Sequence, residues 1–171
     1  MYIPEIADIM LKKTKGGTEM NILVSACLLG VNCKYNQGNN FNERVAGLKE
    51  KYHLIPICPE IMGGLSTPRI PAEVCGEKVL MKDGADVTSQ FEKGAKEAWK
   101  LAKVFRCRYA ILKEKSPSCG NGRIYDGTFT GTLTYKDGVT AKFLKAHGIC
   151  VLGEKDPCLE SLLEKGNKNE I

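Results

Sequence analysis

Apolar residues fall into short continuous runs and one long stripe. Asn21-Ile-Leu-Val-Ser-Ala-Cys27 has the length and content of a buried strand and leads into a glycine-containing loop from Leu28. His53-Leu-Ile-Pro-Ile-Cys58 is a second such run, passing straight into Cys58-Pro-Glu60. Arg108-Tyr-Ala-Ile-Leu-Lys113 is a third, followed by the loop Ser116-Pro-Ser-Cys-Gly120, and Ile149-Cys-Val-Leu152 is the last. Between them the period changes. Phe91, Ala95, Ala98, Ala102 and Phe105 recur at helical spacing and predict a helix over 89–106, with Ser89 and Glu92 at capping-box separation. Shorter helices are expected from Glu43 to about Lys51 behind Asn42, up to Lys145 behind Asp137 with Gly148 closing it, and over Pro157–Lys165 behind Asp156.

Strands alternating with helices define an α/β chain: a single-domain, three-layer, Rossmann-like parallel sheet with helices on both faces. The Gly/Pro-rich stretch Gly63–Pro71 is expected to be an irregular loop. Residues 20–155 form the expected domain body and 156–171 a terminal helix and tail. Residues 1–19 look detached, polar and glycine-broken after Met10. Lys15-Gly-Gly ahead of Met20 is encodable by a ribosome-binding sequence, so Met20 is the expected start and 1–19 an upstream start-site artefact.

The length of 171 residues suits one compact core, and 43% apolar with 26% charged residues is ordinary globular composition. The longest apolar run, Ile22–Leu29, is interrupted by Ser25 and too short to span a bilayer. No secretory pattern is visible, so a cytoplasmic protein with no membrane partner is expected. The net charge is +5, with residues 1–19 neutral, 155–171 at −1 and the body 20–154 therefore at +6. It favours an anionic ligand but falls short of a dense nucleic-acid-binding stripe.

Cysteine usage changes this picture. There are eight cysteines and only two histidines, His53 and His147. With a sufficient core and no oxidising compartment, surplus cysteine points to metal ligation or thiol chemistry. There is no Cys-x-x-Cys pair, Walker loop, G-x-G-x-x-G or G-x-S-x-G. Neither histidine lies where a Cys–His pair would need it. Cys107, Cys150 and Cys158 read as small apolar residues, and Cys75 is ambiguous. Cys27, Cys33, Cys58 and Cys119 stand apart, surrounded by glycine, proline and polar residues. Open parallel sheets hold ligands beyond the carboxyl ends of their strands, where Cys27, Cys58 and Cys119 all fall. The choice between a shared metal or cluster site and four unrelated buried thiols stays open on spacing alone.

Ser25-Ala-Cys-Leu-Leu-Gly-Val-Asn-Cys-Lys-Tyr-Asn36, Cys58-Pro-Glu60, Gly63-Gly-Leu-Ser-Thr-Pro-Arg69, Pro71-Ala-Glu73, Lys113-Glu-Lys-Ser-Pro-Ser-Cys-Gly120 and Ile124-Tyr-Asp-Gly-Thr-Phe129 carry a resemblance. Over about 21–155 the chain resembles a bacterial family whose characterised members are thiouracil desulfidases. The resemblance implies a [4Fe-4S] cluster held by three cysteines, matching Cys27, Cys58 and Cys119, with Cys33 the rival ligand. The fourth iron is left open to a soft thiocarbonyl sulfur, as three-ligand catalytic zinc is left open to substrate. The family reading also implies an acid and a serine at the reacting carbon, which match Glu60 for proton transfer and Ser116 to orient the base or water or to polarise the ring. Their ordinary readings are a helix-start carboxylate and a Ser-turn.

Lys113 and Lys115 straddle the end of the third strand, where either can meet a nucleotide phosphate, and Arg69 is a second candidate. The expected reaction is non-redox removal of sulfur from a thiolated pyrimidine base, nucleoside or nucleotide, with intact tRNA a less favoured substrate. A cluster-based sulfurtransferase and a non-enzymatic Fe–S or zinc-binding module are the rivals.

Overall fold

The computed structural model describes residues 20–159 and 161. Strands β1 (Asn21–Ser25), β2 (His53–Ile57), β5 (Tyr109–Leu112) and β8 (Cys150–Gly153) form one parallel sheet in the order β2-β1-β5-β8. These are the four apolar runs of the sequence. Continuous apolar runs suit a sheet covered on both faces, and Ile22, Leu23 and Val24 are all fully buried. Side chains alternate between the two layers. Ile22, Val24, Tyr109 and Ile111 pack with Val45, Leu48 and Leu159. Leu23, Ala110, Leu112 and Val151 pack with Ala98, Ala102, Ala141 and Leu144.

Three helices lie beside the sheet and one short turn ends a strand. Helix α1 (Glu43–Gly47) is capped as expected, with the Asn42 side-chain oxygen Oδ1 accepting the Val45 N–H at 3.1 Å, but it tightens into a 3-10 turn at Leu48–Glu50. Helix α2 (Pro59–Met62) is one turn directly after β2. Helix α3 (Thr88–Val104) buries Phe91, Ala95, Ala98 and Ala102, the expected stripe, whereas Phe105 falls beyond its end and is part-exposed. Ser89 is not its cap: Asp86 accepts the Thr88 N–H at 3.0 Å, and the Thr88 hydroxyl accepts the Val79 N–H at 2.9 Å.

Helix α4 (Val139–Ala146) corrects a second expected cap. Asp137 accepts from Gly122 N–H at 2.7 Å and pairs with Lys145 at 2.8 Å. The free N–H groups of Val139 and Thr140 instead reach the carbonyls of Pro117 and Ser118, at 2.9 and 2.8 Å. The loop after β5 therefore caps α4, and α4 in turn seats that loop.

Two hairpins stand outside the sheet and were not expected. Strands β3 (Ala72–Cys75) and β4 (Lys78–Met81) pair antiparallel around Gly76-Glu77, as do β6 (Ile124–Tyr125) and β7 (Leu133–Thr134). A two-residue loop containing Gly between apolar segments is a hairpin signal, hidden here by the neighbouring Gly/Pro-rich stretch. Residues 1–19 lie outside the described residues, as does the terminal helix expected over Pro157–Lys165 beyond its opening residues. Among the described residues no helix is long and apolar enough to cross a membrane.

Candidate active site

Strand order reverses between β1 and β5: the chain passes from β1 to β2 on one side, then crosses back to β5 on the other. Ligands of doubly wound sheets bind at such a switch point, outside the carboxyl ends of the strands. A cavity of about 480 Å³ opens there. Cys27, Cys33, Cys58 and Cys119 all line it, as do Glu60, Ser116, Arg69, Lys113 and Lys115. The structure therefore gathers every site residue expected from the sequence around one space.

Each cysteine is delivered by a different device. Cys27 lies in a 3-10 turn after β1, closed by Gly30 in the left-handed region at φ 91°. Cys58 precedes Pro59, the first residue of α2, and α2 itself is pinned by α3. A Cβ placed on Gly94 would meet the Pro59 carbonyl oxygen at 1.9 Å, and one on Gly63 would meet the Gln90 carbonyl oxygen at 2.0 Å. Glycine at these positions lets backbone approach backbone, which fixes where Cys58 and Glu60 stand. Cys119 lies in the loop held by α4 and is only 6% exposed.

The thiols are unequal. Cys33 lies within hydrogen-bonding reach of both Cys27 and Cys58. For Cys27, hydrogen bonding from Cys33 outweighs burial, and Asn40 and Lys113 help to lower its pKa to about 7. The Asn40 amide donates to the Cys27 sulfur at 3.5 Å. For Cys58, the Cys33 contact again outweighs burial, aided by the Ile61 backbone N–H, and the pKa falls to about 7. Cys33 is driven far the other way by those same contacts, and burial pushes Cys119 up to about 12. Two of the four thiols are thus poised to ionise near neutrality, the form that binds metals. Among the described residues no three His, Cys, Asp or Glu side chains converge as a single metal ion requires. The cysteines border a larger space instead.

Glu60 and Arg69 form a closely bound pair. One Glu60 oxygen accepts from both Nε and an η nitrogen of Arg69, each at 2.8 Å. The guanidinium also donates to the carbonyls of Cys33 and Ser66 and to the Thr67 hydroxyl, each at 3.1 Å. Arg69 is therefore committed to protein acceptors. Ser116 accepts the backbone N–H groups of Ser118 and Cys119, both at 3.1 Å, the Ser-turn of its ordinary reading; its own hydroxyl hydrogen is not used by these bonds. Lys113 is ion-paired to the buried Glu154, whose other oxygen accepts the Glu114 N–H at 2.6 Å. Lys115 is exposed, at φ 63°.

Sequence reasoning assigned no role to Asn40 or Glu73. Asn40 reaches Cys27 across 13 residues of loop, and nothing in the local pattern marks it. Glu73 sits within a quoted motif, but its place on the cavity depends on the unexpected β3–β4 hairpin.

A parallel sheet whose switch-point cavity is lined by four cysteines, an Arg-paired carboxylate and a free serine hydroxyl is the frame of a thiol-rich α/β enzyme. The 2-thiouracil desulfurase family matches residues 22–156, and the chain belongs to that family. The uncharacterized protein YbbK of Bacillus subtilis (strain 168) is 41% identical over 145 residues, covering 79% of this chain and 96% of its own. Among solved structures, the [4Fe-4S]-dependent thiouracil desulfidase TudS superposes with a TM-score of 0.79 at 40% identity, covering 87% of this chain and 99% of its own.

Proposed function

We propose that this protein removes sulfur from thiolated pyrimidines in the cytoplasm by a non-redox route, yielding the oxo-pyrimidine and sulfide. The observation that carries the reading is the meeting of four cysteines with Glu60 and Ser116 around one switch-point cavity. The donor set suits an iron–sulfur cluster, which cysteine thiolates hold. Cys27, Cys58 and Cys119 would bind it, with Cys33 the alternative ligand. When bound, such a cluster with an open iron supplies a soft Lewis acid for the thiocarbonyl sulfur.

The chain's own residues supply positioning and proton transfer. Arg69 fixes Glu60 through one carboxylate oxygen, leaving the other available to take a proton from an attacking water. Ser116 is oriented by the two backbone N–H groups it accepts, so its hydroxyl is directed to donate to the ring or to water. Cavity-lining Lys34 and Lys115 offer charge for a nucleotide phosphate, while Lys113 is held by Glu154.

The test is anaerobic reconstitution with iron and sulfide, followed by the thiocarbonyl absorbance of 4-thiouridine monophosphate and of 2-thiouracil. Loss of either band with release of sulfide, dependent on iron, is expected. A cluster that forms while both bands persist would overturn the reading.

A further inference from the structure

Glu73 is a second carboxylate of the cavity, and unlike Glu60 it has no cation partner among the described residues. It projects from the second position of β3, is 9% exposed, and lines the cavity. One of its oxygens, Oε2, accepts two backbone N–H groups from the loop joining β6 and β7: Gly127 at 2.9 Å and Phe129 at 3.0 Å. Both donors have left-handed backbone, φ 92° and 58°, so the carboxylate holds a loop shape that Phe129 would not adopt freely. β6 and that loop bring Tyr125 and Gly131 to the cavity wall.

Its other oxygen, Oε1, makes no hydrogen bond among the described residues. No fully buried side-chain oxygen or nitrogen there lacks a partner, so Oε1 is not sealed in. In a residue so nearly buried, on a cavity wall, the open side is the cavity. Glu73 thus presents a fixed acceptor to whatever the cavity holds, its rotation already set by the two loop N–H groups.

We infer that Glu73 is a specificity residue: its free oxygen accepts a ring N–H of the substrate and so selects uracil-type over cytosine-type thiopyrimidines. The inference rests on the desulfidase reading above. Uracil-type rings carry N3–H, a donor adjacent to both the 2- and 4-positions. Cytosine-type rings present a bare N3, an acceptor, which would face the carboxylate lone pairs unfavourably. A site built around one hydrogen bond rejects the analogue that lacks it.

The decisive variant is Glu73→Gln. A glutamine carbonyl still accepts both loop N–H groups, and that requirement turns the amide NH2 toward the cavity. The loop anchor survives while the polarity offered to the substrate inverts. With reconstituted enzyme, KM for 2-thiouracil should rise roughly 10- to 100-fold. The preference for 2-thiouracil over 2-thiocytosine should shift at least about tenfold toward 2-thiocytosine. Equilibrium binding of uracil and cytosine, read by calorimetry, should shift the same way without any turnover. Iron content and unfolding midpoint should match the wild type, whereas Glu73→Ala, which frees the loop, should lower the midpoint. A Glu73→Gln protein that keeps wild-type discrimination would overturn the inference, leaving the functional reading intact. Loss of iron and stability equal to that of Glu73→Ala would overturn it too, making Glu73 a loop anchor only. A wild-type enzyme that neither binds uracil nor consumes either thiopyrimidine would remove the functional reading and this inference together.

Discussion

One wall of the cavity is the carboxyl rim of the parallel sheet; the other is made by two antiparallel hairpins and the loops that tie them to it. The rim carries the cysteines on turns and loops beyond the strand ends, of which β1 and β5 are central and buried while β2 is a partly exposed edge. The hairpin wall carries Glu73, Tyr125 and Gly131; Val74, Val79 and Ile124 of its strands pack with Val87 and Phe91 in a separate, smaller core, and the β6–β7 loop is held to β3 by hydrogen bonds from its backbone to Glu73. Even its cysteine differs: Cys75 donates to the Gly127 carbonyl at 3.3 Å and is absent from the cavity lining. On the proposed reading, soft ligands come from the sheet rim and hydrogen-bond selectivity from a wall with a separate small core. A site organised in this way can change its substrate preference on one wall without disturbing the cofactor donors on the other.

The largest effect that tests this division is on metal content. Cys27→Ala and Cys58→Ala should lose nearly all reconstituted iron and at least about 100-fold in desulfuration, since even outer partners of metal ligands are worth 10- to 100-fold. Cys75→Ala should keep its iron. Iron and sulfide analysis after anaerobic reconstitution compares the three, and equal loss in all would erase the distinction between the walls.

Arg69 joins the two sides. It lies in the loop leading to β3, its own N–H bonds the Tyr35 carbonyl at 2.8 Å, and its guanidinium holds Glu60 on the rim. The side chains of the pair are 5% and 18% exposed, so Arg69→Ala strands a carboxylate in a poorly solvated place. Removing one partner of a buried pair costs about 3–5 kcal/mol. Denaturant unfolding should show that loss, and Arg69→Ala combined with Glu60→Gln should recover part of it. Additive losses would mean that the two residues act independently.

The rim was readable because its strands are continuous apolar runs and its main helix an unbroken stripe, signals that depend on near neighbours. Cys27, Cys58 and Cys119 could be placed together because each follows a strand end. The hairpin wall was not readable in the same way. β6 and β7 have two residues each, and the loop between them is held by Glu73 from more than 50 residues away. The helix caps illustrate the same limit: Asp137 has the right spacing, yet tertiary carbonyls from the Cys119 loop take its place at α4. Gly94 was likewise silent, since helix propensity disfavours it and only the Pro59 backbone explains it. Gly94→Ala should therefore destabilise the protein by about 1–3 kcal/mol, the usual cost of overpacking, despite alanine's better helix propensity. Stabilisation on unfolding in urea would refute the close contact of α3 with Pro59.

The smallest effect concerns the seam where the walls meet. Lys115 lies on the rim loop, bridges in parallel to Ile124 of β6, and holds φ at 63° without being glycine. Left-handed backbone costs a non-glycine residue about 1–2 kcal/mol, while glycine loses about 0.4–1 kcal/mol through the freedom of the unfolded chain. Lys115→Gly should then raise stability by about 0.5–1 kcal/mol, read as a higher unfolding midpoint. The same change removes an exposed ammonium from the cavity mouth. If that charge meets a substrate phosphate, KM should rise several-fold more for 4-thiouridine monophosphate than for 4-thiouracil. The backbone gain and the charge loss are separable, because only the second distinguishes the two substrates. A higher midpoint with an equal change in both KM values would leave Lys115 as a strained joint between the walls and assign the phosphate to another residue.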